Sequence, residues 1–252
     1  MPTSAKILSA LLTLSLFVAA CDPPEDVAEE AAVAATEEPE QPPTADDPAD
    51  EEPEMPRAVE TTVVDDEHLG VLPDGVGVPV GEEVESFTLR DHEGDEVALA
   101  DLLEEQAVML VFYRGGWCPF CNFQIRELTE AYDQFADRNV TPVAISVDLP
   151  DEGARTSAAY EIPFPVLSDP DLLAHQALRV INEMDADEVA RLEGMGMDIQ
   201  AHSGRDHNTV AIPGVFLIDE DAVVLWAHAH EDYRLRPSIE QLLAAIDDAM
   251  GN

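Results

Sequence analysis

The chain has 252 residues and a formal net charge of −42, from 54 Asp and Glu against 12 Lys and Arg. A polyanion of this strength is repelled by nucleic acid and by anionic lipid headgroups, which excludes both as electrostatic partners. A hydrophobic fraction of 46% allows a buried core in one or two domains, while three cysteines are too few for a disulfide scaffold or a four-cysteine zinc site.

The first element is a leader. Lys6, the single lysine, precedes an apolar run from Ile7 to Ala20. That run is shorter than the roughly 20 residues a membrane-spanning helix needs, and has the charge and length of a signal-peptide core. It ends in Val18-Ala19-Ala20-Cys21, which resembles a bacterial lipobox. The resemblance implies a signal peptide over residues 1–20, acylation of Cys21, export to the cell envelope and a lipid anchor as the only membrane contact. Residues 22–68 hold 18 acidic residues, eight prolines, one arginine and no aromatics. Such a segment buries too little apolar surface to offset its ordering entropy, and it repels itself. Residues 21–79 are therefore expected to be an anchored, disordered acidic tether, and 80–252 the folded domain.

Within that domain, Phe87–Leu89 and Val97–Leu99 flank a polar turn at Asp91–Asp95 and read as a hairpin. Asp101–Leu103 reads as a helical turn. Ala107–Tyr113 is a continuous apolar run, as in a strand buried on both faces. Cys121, Ile125, Leu128, Tyr132 and Phe135 then recur at helical spacing and predict one helix with a single buried stripe, with Pro119 in its first turn. Thr141–Val147 reads as a strand, Glu152–Tyr160 as a helix and Phe164–Leu167 as a short strand. Asp169-Pro170 predicts a helix start, with the helix running to about Asn182. Residues 183–210 read as a helical insertion and a loop. Val215–Ile218 and Val223–Ala229 read as antiparallel neighbours around Asp219–Asp221. Ser238 and Gln241 have capping-box spacing for a last helix ending near Met250. The pattern is α/β, a mixed sheet with helices on both faces.

The chemistry concentrates in Trp117-Cys118-Pro119-Phe120-Cys121, between a buried strand and a helix N-terminus. Unpaired N–H groups and the helix dipole favour a thiolate there, and the two-residue spacer brings a second thiol onto the same turn. A redox pair is favoured over half of a zinc site, for which the histidines at 202, 207, 228 and 230 have no diagnostic spacing, and over structural cysteines. The first cysteine of the turn is expected to be the more exposed and the attacking thiol. Cys121, on the apolar stripe, is expected to be buried and resolving. Arg114 is a candidate for stabilising the thiolate or a peroxide oxygen. Trp117 is expected to pack beside the dithiol. Arg126, His202 and His207 read as surface residues.

The segment VFYRGGWCPFCNFQIRELTEAY resembles peroxiredoxin-like members of the alkyl hydroperoxide reductase/thiol-specific antioxidant (AhpC/TSA) group of the thioredoxin-fold superfamily. FTLRDHEGDEVALADL, FPVLSDPDLLAHQAL and the AHSG loop before VAIPGVFLID are similar to the same group, so the resemblance spans about residues 80–250. It implies a thioredoxin-like sheet with an N-terminal hairpin extension, and a thiol-dependent antioxidant or disulfide-exchange activity without metal or flavin. In the peroxiredoxin register, Arg114 stands at the usual Pro, Cys118 at the usual Thr, Cys121 at the peroxidatic Cys, and Pro213 at the late Arg. In the thioredoxin register Cys118 attacks, and Pro213 is a cis-proline facing the pair.

The function these features imply is hydroperoxide reduction through a Cys118/Cys121 dithiol–disulfide cycle, with Trp117, Arg114 and Pro213 in support. The alternatives are a thioredoxin-like oxidoreductase acting on disulfides of exported proteins and, third, a non-enzymatic metal-binding lipoprotein. Either enzyme needs a thiol reductant outside the cytoplasm, which the sequence does not name.

Overall fold

The structure is a computed structural model that describes residues 59–104 and 106–251. The leader, Cys21 and the first part of the tether lie outside the described residues.

The strands and helices in chain order are β1 (Thr62–Val63), β2 (Thr88–Asp91), β3 (Glu96–Ala98), α1 (Leu99–Leu102), β4 (Ala107–Phe112), α2 (Pro119–Glu130), α3 (Tyr132–Ala136), β5 (Val140–Ser146), α4 (Pro150–Tyr160), β6 (Val166–Ser168), α5 (Leu173–Ala177), β7 (Ile181–Glu183), α6 (Ala186–Glu193), α7 (Ile199–Ser203), β8 (Thr209–Ala211), β9 (Gly214–Ile218), β10 (Val224–Ala229), β11 (Leu235–Arg236) and α8 (Ile239–Met250). Seven strands form one sheet in the order β10-β9-β4-β5-β6-β2-β3. β4, β5 and β6 run parallel, while β9, β10, β2 and β3 join antiparallel. This is the mixed thioredoxin-like sheet with a leading hairpin.

β4 sits at the centre, and all six of its residues are buried. Alternate side chains enter two cores, as the period of two along a strand requires. Met109 and Val111 meet Ile125 and Leu128 of α2, Phe135 of α3 and Leu242 and Ile246 of α8. Val108, Leu110 and Phe112 meet Leu99 of α1, Ala174 of α5 and Phe216. The last helix starts at the expected capping box, with Ser238 Oγ accepting from the Gln241 N–H and Gln241 Oε1 accepting from the Ser238 N–H.

Three expectations change. The single helix after the cysteines breaks at Ala131, whose ψ of 3° leaves the helical range, although Tyr132 and Phe135 keep facing the same core. The helix expected from Asp169 to Asn182 shrinks to α5. Asp169 accepts the N–H groups of Leu173 and His175 on its own carboxylate, Arg179 turns left-handed at φ 56°, and the chain then extends into β7, which pairs with β8. Finally, residues 59–79, expected in the tether, pack on the domain. β1 pairs in parallel with β11, and Val64 and Val78 are each 2% exposed. The acids cluster at Glu60 and Asp65–Glu67, while buried Val64 and Val78 and a strand partner seat the segment.

Candidate active site

Cys118 is the N-cap of α2 and Pro119 its first residue, so Cys121 stands at the third helical position, among N–H groups with no intrahelical partner. The strand β4 delivers the chain to this point and Gly115-Gly116 turn it. Gly116 N–H donates to Asp148 Oδ2 at 2.7 Å, and Asn122 Nδ2 donates to the Gly116 carbonyl at 2.7 Å. Gly115 has a φ of +145°, and a Cβ there would collide with Trp117 Nε1 and come within 2.8 Å of Asp148 Oδ1. Gly115→Ala is therefore expected to destabilise the protein by about 1–3 kcal/mol, read as a lower urea midpoint. An unchanged midpoint would show that the turn tolerates a side chain.

Both cysteines are free thiols and both are buried, Cys118 at 1% exposure and Cys121 at 0%. The expected contrast in exposure is absent: both cysteines lie in one buried cluster with Trp117, which is 4% exposed. Electrostatics separates the two instead. Burial pushes the Cys121 thiol up, but the Cys118 S–H donating to it, the Arg236 charge, and the backbone N–H and charge of Arg114 together bring it down to about 6. Cys118 is pushed well above its ordinary value, first by donating that hydrogen bond to Cys121 and then by burial. These influences favour the charge on Cys121 and the proton on Cys118, opposite to the order expected from the turn.

Arg114 is 3% exposed, and its side chain is directed to other groups. Nη2 pairs with Glu188 Oε1 of α6 at 2.7 Å, and the guanidinium lies 4.3 Å from the Tyr233 ring centre and 5.1 Å from that of Trp117. It ties the insertion to the turn while its backbone N–H serves Cys121. Pro213 lies between β8 and β9 and, with Arg114, Ile212 and Tyr233, lines a small cavity of about 90 Å³. No cis peptide bond occurs among the described residues, so the Ile212–Pro213 bond is trans, against the expected cis-proline. The Ile212 N–H bonds to the Val180 carbonyl and the Pro213 carbonyl accepts from His230, so an extended backbone runs from β8 into β9. Arg126 is exposed and pairs with Glu130. His207 bonds to the Pro170 carbonyl, and His202 approaches Glu152 at 3.6 Å.

Two site residues escaped the sequence reading. Arg236 Nη2 lies 3.8 Å from Cys121 Sγ, with Nε on Gln124 Oε1 at 3.1 Å. Asp148 is fully enclosed, and burial holds its carboxyl up at about 7, partly opposed by the Gly116 N–H and Ser146. Its place just past the carboxyl end of β5, where open α/β sheets build their sites, was the available signal. For Arg236 the only hint was Gln124, a polar residue on the same helical face as Cys121.

The AhpC/TSA family matches residues 80–227. A protein of Mycobacterium tuberculosis named as a putative peroxiredoxin is 34% identical over 91 residues, covering 36% of this chain and 57% of that protein. Peroxiredoxin 2 of Caldanaerobacter subterraneus is 26% identical over 146 residues, 56% of each. The thiol-disulfide oxidoreductase ResA of Bacillus anthracis is 29% identical over 103 residues, 40% of this chain and 58% of that one. The chain thus spans somewhat over half the length of the curated relatives it matches. Among solved structures, the peroxidoxin BcpB of Mycobacterium tuberculosis superposes with a TM-score of 0.54 at 20% identity, over 70% of this chain and 97% of that one. With the family match extending over more than half of its residues, the chain belongs to the AhpC/TSA family.

Proposed function

We propose that the protein is a thiol-dependent peroxidase that reduces small hydroperoxides. The observation that carries this reading is the Cys121 sulfur, 0% exposed at a helix N-terminus with Arg236 Nη2 3.8 Å away. Attack on a protein disulfide needs the sulfur accessible to a large, aligned partner, whereas a hydroperoxide needs only a water-sized opening. The thiolate attacks the terminal peroxide oxygen, the O–O bond breaks, and the leaving alkoxide takes up a proton, giving Cys121 sulfenic acid and an alcohol or water. The Cys118 thiol then condenses with the sulfenic acid and releases water, forming the Cys118–Cys121 disulfide. Two electrons from an extracytoplasmic thiol reductant restore the pair.

Stopped-flow oxidation of the reduced dithiol by hydrogen peroxide tests this. The expected rate exceeds that of a free thiol at the same thiolate fraction by at least about 10²-fold, through positioning and charge stabilisation. A rate equal to the free thiol would remove the peroxidase reading. The C-x-x-C spacing and the ResA similarity support a second reading, disulfide exchange with exported proteins; insulin reduction without peroxide consumption would favour it.

The lipobox-like Cys21 supports a further part of the proposal, an exported protein anchored by its lipid alone. Among the described residues no helix is long and apolar enough to cross a membrane. Incorporation of labelled palmitate, abolished by Cys21→Ser, checks the anchor.

A further inference from the structure

Arg236 is a buried cation with no carboxylate oxygen within 4.0 Å among the described residues. Every other arginine among the described residues has a carboxylate oxygen within 4.0 Å. Arg236 is 3% exposed, and two of its three side-chain contacts among the described residues are neutral: Nε donates to Gln124 Oε1 and Nη1 to the Leu235 carbonyl at 2.8 Å. A buried guanidinium with no counter-ion is costly, so an anion is expected within its reach. The third contact, Nη2 to Cys121 Sγ at 3.8 Å, is to the one ionisable acceptor it touches among the described residues.

What holds Arg236 there is the segment composition assigned to the tether. The Thr62 N–H donates to the Arg234 carbonyl and the Val64 N–H to the Arg236 carbonyl, each at 2.9 Å. Gln241 Nε2 of α8 fixes the Val64 carbonyl at 2.9 Å. At the other end of this strap, the Val59 N–H donates to the Pro119 carbonyl at 3.0 Å, on the first residue of the helix that carries Cys121. Residues 59–64 are thus bonded both to the strand that carries the cation and to the helix that carries the thiol. The family match at residues 80–227 contains neither the strap nor Arg236.

We propose that Arg236 is a catalytic residue of this chain, the counter-ion that stabilises the Cys121 thiolate, and that residues 59–64 are a structural part of the active site because they hold it in place. The proposal rests on Cys121 being the reactive thiol. Cys118, Arg114, Tyr113 and Asp148 also bear on Cys121, and His228 bears on Arg236. The test leaves all of these unchanged.

The full chain carrying Cys21→Ser, so that only the two site thiols absorb, is titrated by thiolate ultraviolet absorbance. Arg236→Gln is expected to raise the first ionisation of the dithiol by about one pH unit or more, a tenfold change in the ionisation constant, and Arg236→Lys to restore part of it. Thr62→Pro removes one backbone donor at an exposed strap residue and is expected to shift the ionisation the same way by a smaller amount. A purely structural role would lower the melting temperature and leave the ionisation in place. A folded Arg236→Gln protein with an unmoved first ionisation overturns the assignment. If that variant does not fold, Arg236→Lys and Thr62→Pro decide, and unmoved ionisation in both overturns it. Absorbance reads the thiolate with no peroxide present, so failure here and failure of the peroxidase reading are separate results.

Discussion

Cys121→Ser is expected to abolish hydroperoxide reduction, lowering the second-order rate by at least about 10³-fold, while Cys118→Ser keeps the first step and loses the second. The asymmetry follows from the charges around the two sulfurs. Cys121 takes the Arg236 charge at 3.8 Å, the Arg114 N–H and the Cys118 S–H, while Cys118 is the donor in that last bond. A serine hydroxyl at 118 can still donate to Cys121, so the thiolate survives the substitution. It cannot condense with a sulfenic acid to make a disulfide, so the sulfenic acid on Cys121 should accumulate and be captured by a dimedone-type reagent. Mass spectrometry of the labelled peptide reads the position. Labelling confined to Cys118 in the Cys121→Ser protein would return the nucleophile to the first cysteine of the turn and the chemistry to the thioredoxin register.

Much of the sheet was legible because its signals are local. Ala107–Phe112 is apolar at every position, short and rich in β-branched and aromatic residues, the pattern of a strand covered on both faces. Ser238 and Gln241 announce α8 within one turn. The dithiol was legible for the same reason, since its chemistry needs two cysteines on one turn. What stayed hidden depends on residues far apart in sequence. Arg236 is 115 positions from Cys121, and nothing in RLRPS distinguishes it from a solvated arginine until β11 finds β1. That contact is among the influences favouring the charge on Cys121, and the sequence could rank the cysteines only by their order in the turn and the apolar stripe. The strap was masked by composition: Glu60, Asp65, Asp66 and Glu67 surround Val64, and their charge outweighs one buried valine in any window average. α5 was overextended because Asp169 looks like an ordinary N-cap, when in fact it spans a left-handed Leu172 and also binds the His175 ring at 2.7 Å.

Asp148→Asn is expected to gain stability on the parent protein as pH rises, by up to about 4 kcal/mol between pH 4 and pH 8. The Asp148 carboxyl is held at about 7 against an ordinary 3.8, chiefly by burial. Below pH 4 the acid is protonated both folded and unfolded, and its titration costs the fold nothing. Between pH 4 and 7 the unfolded chain releases the proton while the folded chain keeps it, so stability falls with rising pH. The fall is about 1.4 kcal/mol for each pH unit crossed, over roughly three pH units. Above pH 7 the folded carboxyl ionises too, and the loss levels off. Asparagine keeps an oxygen for the Gly116 N–H and does not titrate, so the gap between variant and parent isolates this one group from the other carboxylates. Urea midpoints of both proteins at several pH values give the gap, and a gap that stays flat would mean that Asp148 titrates near its ordinary value. A chain that keeps such a carboxylate enclosed gives up stability at neutral pH for an acid that is half-ionised there. Asp148 bonds the turn before the dithiol through Gly116, and the Cys121 charge is among the influences holding its proton on. Oxidation of Cys121 removes that charge, so the Asp148 carboxyl is expected to ionise more readily in the oxidised protein than in the reduced one. The same urea series on the oxidised protein should therefore show the widening of the gap beginning to level off at lower pH.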